Sequence, residues 1–386
     1  RTGGWTPPLE RCQGRAPVAH SGAMVAVSSI PPPAFDAFSL GFLDGRAAGP
    51  PRVVRAGSAE SSVDVLVAWI EAHREALLDA RRRHGALLFR GFPLDAPQDF
   101  ERVARALDPD LQSEYLGTSP RVALTDYVFT ASELPGYYPI PQHCKMTFVA
   151  QPPKSLFFWC KEAPAPGCGE TPLCDFRAVA RDMDPELKAR FRARGIRIVR
   201  NYSGPSAAGR KLGLWELKRW DEIFGTTDRA AVEAACAKQG FSPTWVGADG
   251  LRLISHHDAF RPHPETGEEV WFNHSQVFHM SAGPGEYAHI AKLRPSLRNR
   301  ALHLFAAAMV ALKRRRLEPD AQALDATFGD GGPIPDADMA HVRELIWRHM
   351  VRFAWQRGDA VAIDNASCSH GRLPYRGPRE IAVSWA

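Results

Sequence analysis

Apolar residues recur at helical spacing in several stretches of the chain and cluster or alternate in shorter runs between them. Over residues 61–85 the apolar positions Val63, Leu66, Val67, Ile70, Leu77 and Leu78 fall on one helical face. A Ser/Asp start, a basic last turn and Gly85 bound them, which predicts one amphipathic helix. GALLFRGF then reads as a short buried strand and APQDFERVARAL as a second helix. RVALTDYVFT and SLFFWC are short and rich in β-branched or aromatic residues, which predicts strands. MDPELKARFRARG predicts a helix capped by Asp184, opened by Pro185 and stopped by Gly195. IRIVRNY follows as a strand. Residues 203–350 read as mainly helical with polar loops, including one long helix over LRPSLRNRALHLFAAAMVALKRRR. DAVAIDN and REIAVSWA close the chain as strands. Strands that flank a helical middle, without a repeat, fit one all-β or α+β core with an insertion at about 203–350 better than alternating βαβ units.

Residues 1–34 show no such period. SSIPPPAF is a loose proline-rich lead-in, and the stretch lacks the apolar segment of a secretory signal. A disordered tail is expected there, with Met24 an alternative start, and one domain over 35–386. Lys plus Arg total 48 against 43 acids, a net charge of +5 that is thin for 386 residues. Its basic runs sit at helix ends, so nucleic-acid binding is not expected. No run of about 18 apolar residues exists, so no membrane span is expected. Seven cysteines, an odd number without a CxxC pair, point to reduced thiols in a cytoplasmic protein.

The chemistry concentrates at two places. Near the C-terminus a strand runs into Asp364 and Asn365, a loop presents His370, and Arg379 opens the last strand. An imidazole there suits a metal, and a guanidinium forks onto a carboxylate. Upstream, IPQHCKMTF presents His143 on extended backbone, so that residue 145 is expected to project to the same side. A His-x-carboxylate pair with a distant His would make a 2-His-1-carboxylate iron triad. GCGETPLCD delivers Thr171 nearby.

The stretches HGALLFRGF, TSPR at 118–121, IPQHCKMTF, PGCGETPLCDFR, RNYSG, HPETGEEVWFN and GDAVAIDNASCSHGRLPYRGPRE run in order over roughly residues 60–386. Together they resemble the taurine dioxygenase / clavaminate synthase-like (TauD/TfdA-like) Fe(II)/2-oxoglutarate oxygenases, particularly the syringomycin-hydroxylase-like branch. The resemblance implies a double-stranded β-helix, or jelly-roll, with helical cover. It implies His143 and His370 as iron ligands, and Arg379 with Thr171 as the holders of the far carboxylate of 2-oxoglutarate. It also implies oxidation of a C–H bond in a small amino-acid-like substrate, free or carrier-tethered. Trp355, Asp364 and Asn365 are expected to shape the distal strand and loop, and Arg121 and Asn201 to be structural more than substrate-binding.

One position departs from the pattern. Where the family carries Asp or Glu, two residues after the first histidine, this chain has Lys145. An ammonium has no lone pair and repels a metal. Four readings stand open: a replaced glutamate that cripples an ordinary enzyme; a lysine turned aside while iron keeps two histidines; a neutral lysine that ligates metal or attacks a keto group; and a metal-free protein that binds an oxo acid or partner. His256 and Asp258 form a second His-x-Asp, read as a decoy. A Cys/His metal site from Cys144, Cys368, His263, His274 and His279 is not expected, because no zinc-like spacing exists.

Overall fold

The computed structural model describes residues 38–43, 45–57, 61–113, 121–132, 134–207, 218–316 and 320–386. These lie within one compact unit spanning Pro32–Ala386. The expectations for residues 1–34, including Met24, and for Thr118–Pro120 fall outside the described residues.

The architecture is mixed α/β, with its strands numbered here in chain order. The largest sheet has seven strands ordered β1 (Ser39–Phe42), β2 (Arg52–Arg55), β3 (Ala86–Arg90), β14 (Ala360–Asp364), β6 (Ser155–Glu162), β16 (Glu380–Trp385) and β4 (Phe129–Thr130). A three-stranded sheet runs β5 (Ile140–His143), β15 (Cys368–Arg372), β7 (Leu173–Asp175). A four-stranded sheet runs β13 (Leu324–Phe328), β8 (Ile196–Tyr202), β10 (Gly250–His257), β9 (Ser242–Val246). A small ribbon pairs β11 (Phe260–Pro262) with β12 (Glu269–Trp271). Only the β2–β3 pair is parallel among the described strand pairs.

Period-two alternation sorts the large sheet into two faces. Leu87, Phe89, Phe157, Trp159, Ala360 and Ala362 point outward onto the helices Val63–Ala72 and Pro97–Leu107, against Leu66, Trp69, Ile70 and Phe100. Their neighbours Leu88, Leu156, Phe158, Val361, Ile363, Val383 and Trp385 point inward, into a cluster shared with Leu173 and Cys368 of the three-stranded sheet. The three-stranded sheet thus packs on the inner face of the large one. Strands buried on both faces read as continuous apolar runs, which is why ALLFR and SLFFWC carry no polar alternation.

Several predicted boundaries hold. Asp184 caps Pro185–Arg194 through Leu187 N, and Gly195 follows it. Others differ. Residues 61–85 form two helices, Val63–Ala72 and Arg74–His84, broken at His73. The long helix predicted from Leu293 begins only at Leu297, past Pro295, which cannot supply a helical N–H, and a separate helix, Ala282–Leu293, precedes it. The segment 203–350 is not simply helical, because β9 to β13 lie within it.

Candidate active site between two sheets

β5 and β15 run antiparallel, and His370 stands directly opposite His143. Cross-strand partners share a face, so the two rings meet with centroids 4.4 Å apart. His143 Nδ1 lies 2.9 Å from the Pro141 carbonyl, which accepts its hydrogen and leaves Nε2 with a lone pair. His370 is buried, and its Nδ1 has no hydrogen-bond partner among the described residues. Burial pushes His143 down to about 4 and His370 in the same direction, so both rings are neutral near pH 7. Phe158, from the inner face of the large sheet, covers His370 at 5.0 Å between centroids.

A third imidazole, which sequence reasoning dismissed, comes to the same place. His274 sits 5.4 Å from His143 between ring centroids, beside Phe148 and Phe278, and its Nδ1 pairs with Thr147 Oγ1. WFNH carries no local sign of this, because the contact depends on a helix of the middle segment reaching β5.

Lys145 does not share a strand with His143. β5 ends at His143, the chain turns over residues 145–148, and Met146 takes a left-handed φ of 54°. Asn365 grips the turn from across the fold: its Oδ1 accepts from Lys145 N at 2.6 Å and its Nδ2 donates to Lys145 O at 3.0 Å. The Lys145 side chain is buried, with Nζ 4.6 Å from the centroid of the Trp385 ring. Burial, and secondarily Arg121, push its ammonium well below the usual lysine range.

Arg379 and Thr171 meet. Arg379 Nη2 donates to Thr171 Oγ1 at 3.0 Å and its Nε donates to the Gly169 carbonyl at 2.9 Å. Trp355 Nε1 donates to the same hydroxyl oxygen at 3.1 Å. Burial, then Arg372, lowers Arg379 to about 10, still charged at neutral pH. β7 pairs with β15 so that Leu173 faces His370. Thr171 lies just before β7, and bonds from Gly371 N to the Pro172 carbonyl and from Leu373 N to the Glu170 carbonyl keep that segment alongside the chain that follows His370.

The remaining candidates separate. Asn201 holds Asp320, Gln322 and Arg252, and is structural. Asp364 accepts from His263 Nε2 at 2.9 Å and from Ser367, shaping the turn before β15. His279 is tied to Ser281 and Ile334. His256 lies at the end of β10, in the four-stranded sheet, and takes no part. Cys144 and Cys368 are buried thiols, held protonated by burial. A cavity of about 350 Å³ lined by His279, Arg314, Asp325 and Asp336 shares no residue with the histidine pair.

The donor set answers in parts. Two neutral imidazoles, one with an orphaned buried nitrogen, fit an iron ion, and the Arg379–Thr171 pair fits a carboxylate. The position where the resemblance expects a carboxylate ligand does not fit, since Lys145 offers an amine. Among the described residues no three His, Cys, Asp or Glu side chains form a group able to hold a metal.

Residues 49–385 match the family described as taurine catabolism dioxygenase TauD, TfdA family. The chain is 31% identical over 300 residues to the dapdiamide synthesis protein DdaC of Enterobacter agglomerans, covering 78% of this chain and 81% of that protein. It is 29% identical over 328 residues to a clavaminate synthase-like protein of Arabidopsis thaliana, covering 84% and 88%. The crystal structure of PvcB from Pseudomonas aeruginosa aligns with a TM-score of 0.49 at 16% identity, covering 94% of this chain and 95% of that one. The chain therefore belongs to the TauD/TfdA dioxygenase family, oxidoreductases that work with Fe(II) and 2-oxoglutarate.

Proposed function

We propose that the chain is an Fe(II)/2-oxoglutarate-dependent dioxygenase that oxidises an unactivated C–H bond of a small amino-acid-like molecule, free or carrier-tethered. The observation that carries this reading is the cross-strand His143–His370 pair, with the Arg379–Thr171 hydrogen bond at the segment that leads into the neighbouring strand β7. The relative named for dapdiamide synthesis supports a biosynthetic substrate, and the motif resemblance supports the syringomycin-hydroxylase-like branch. We read the facing seven- and three-stranded sheets as a jelly-roll core within one domain over 35–386. Free cysteines throughout the described residues support a reducing, cytoplasmic setting.

When bound, iron and 2-oxoglutarate supply the oxidising chemistry. His143 and His370 offer it two neutral nitrogen donors. Arg379 and Thr171 hold the far carboxylate: the guanidinium donates, and Thr171, whose oxygen already accepts two bonds, turns its own proton to the ligand. Phe158 and Trp385 wall the site and exclude water. Lys145 supplies no carboxylate, so the protein contributes two strong donors instead of three.

An anaerobic Fe(II) titration with 2-oxoglutarate tests this, read by the visible absorbance that appears when both bind. We expect weak saturable binding in the chain with Lys145 and at least about tenfold tighter binding in Lys145→Glu, with succinate released on exposure to oxygen. His370→Ala should abolish the absorbance. Unchanged metal binding in His370→Ala, or no metal binding in Lys145→Glu, would overturn the assignment.

A further inference from the structure

The helix Leu297–Arg316 is apolar on two sides. One side packs inward: Leu302 and Ala306 meet Tyr287, Ile290 and Leu373, and His303 Nδ1 bonds the Pro284 carbonyl at 3.1 Å. The other side has no cover among the described residues. Leu297 is 86% exposed, Leu304 66% and Phe305 57%, with Met309 and Leu312 also open. Together with Ala301 and Ala308 these positions follow the three-and-four spacing of a helix-pairing seam.

The charges on this helix decide what could cover that seam. Its twenty residues include no acid. Arg298 and Arg300 stand in the first turn, where cations oppose the helix dipole and so gain nothing locally. Lys313, Arg315 and Arg316 stand in the last turn; Arg314 is already paired with Asp336. Between them residues 301–312 carry no Lys or Arg for about 18 Å. A helix lying on an anionic bilayer carries its cations along both flanks of the apolar face. Here they bracket the apolar face end to end. A second copy of the helix would set cations against cations in either direction, a repulsive pairing.

We propose that this face is a docking site for a partner protein presenting an amphipathic helix, apolar at its centre and acidic at both ends. The surface reaches the candidate site through one ion pair: Arg294, just before the helix, holds Glu170, the residue preceding Thr171. A partner seated there lies beside the segment that carries the Arg379–Thr171 arm.

The test uses the full chain and a synthetic fluorescein-labelled helical peptide with leucines on one face and glutamates at both ends. A matched peptide with lysines in place of the glutamates is the control, and binding is read by fluorescence anisotropy. Saturable binding of the acidic peptide alone is expected, weakened by added salt. The double variant Leu304→Gln/Phe305→Gln should lose at least about tenfold in affinity. Both side chains are exposed, so its circular dichroism and melting temperature should match the parent. Failure of the acidic peptide to bind, or equal binding of both peptides, overturns the proposal. So does sedimentation with phosphatidylglycerol vesicles that the double variant loses, or a dimer in sedimentation velocity that it dissolves, since these assign the face to a membrane or to a second copy.

Discussion

At the scale of single residues, the proposed ligand pair and the proposed anion-holding pair could be picked out because each lies in a motif whose neighbours set its backbone. His143 follows a proline in extended chain, and Thr171 leads into a strand. The direction of Lys145 was not legible. It depends on Asn365, more than 200 residues away, taking both backbone groups of the turn. Nor was His274, whose approach to His143 is set by tertiary packing alone. The buried histidines carry a stability consequence. The folded chain lowers His143 to about 4, against about 6.5 for an unperturbed histidine. Between those values the unfolded chain binds a proton that the folded chain refuses. Stability is therefore fully present above about pH 6.5 and falls as pH drops towards 4, by up to about 1.4 kcal/mol per pH unit for this group. His370 and His274 act in the same direction. Urea unfolding of the metal-free protein across this range should show the loss, with a shallower slope in His143→Gln. Parallel curves for the two proteins would refute this account.

At the scale of elements, caps were readable and breaks were not. Ser62, Asp184 and Gly85 announce helix ends through local chemistry. The break at His73 leaves the apolar period nearly intact, so pattern alone runs through it. The strands of the middle segment were only partly encoded: in β10 burial alternates, with Leu251 and Leu253 buried beside the half-buried Arg252 and Ile254, but Ile254 and the buried Ser255 break the matching apolar/polar pattern. Gly85 shows how tightly one element end is built. It ends the helix Arg74–His84 at φ 83°, and a Cβ there would sit 2.9 Å from Cys368 Cβ. Left-handed backbone and the strand carrying His370 both oppose a side chain. We expect Gly85→Ala to cost more than about 1 kcal/mol in chemical denaturation and to lower affinity for Fe(II) by displacing β15. A stable variant with unaltered metal binding would show that this helix end does not position the strand.

At the scale of the whole molecule, the sequence order of the strands and their spatial order differ sharply. β14 lies between β3 and β6, and β16 lies between β6 and β4. No local pattern reveals such pairings; the need of His143 and His370 for one site announced only that β15 meets β5. A chain ending at Arg352 should therefore fail to give a cooperative melt, because β3 and β6 would each face an empty position in the centre of the sheet. A sharp thermal transition in that fragment would contradict the assignment of β14 as the keystone of the sheet.

The late position of β14 also matters while the protein is being made. The ribosome releases the apolar strands ALLFR and SLFFWC long before residue 364 leaves it. At about 5–20 residues per second, two sticky edges wait for tens of seconds without the strand that joins them. The nascent chain should thus depend on holding chaperones until β14 emerges, and its yield in a cell should follow their supply more than the stability of the finished fold.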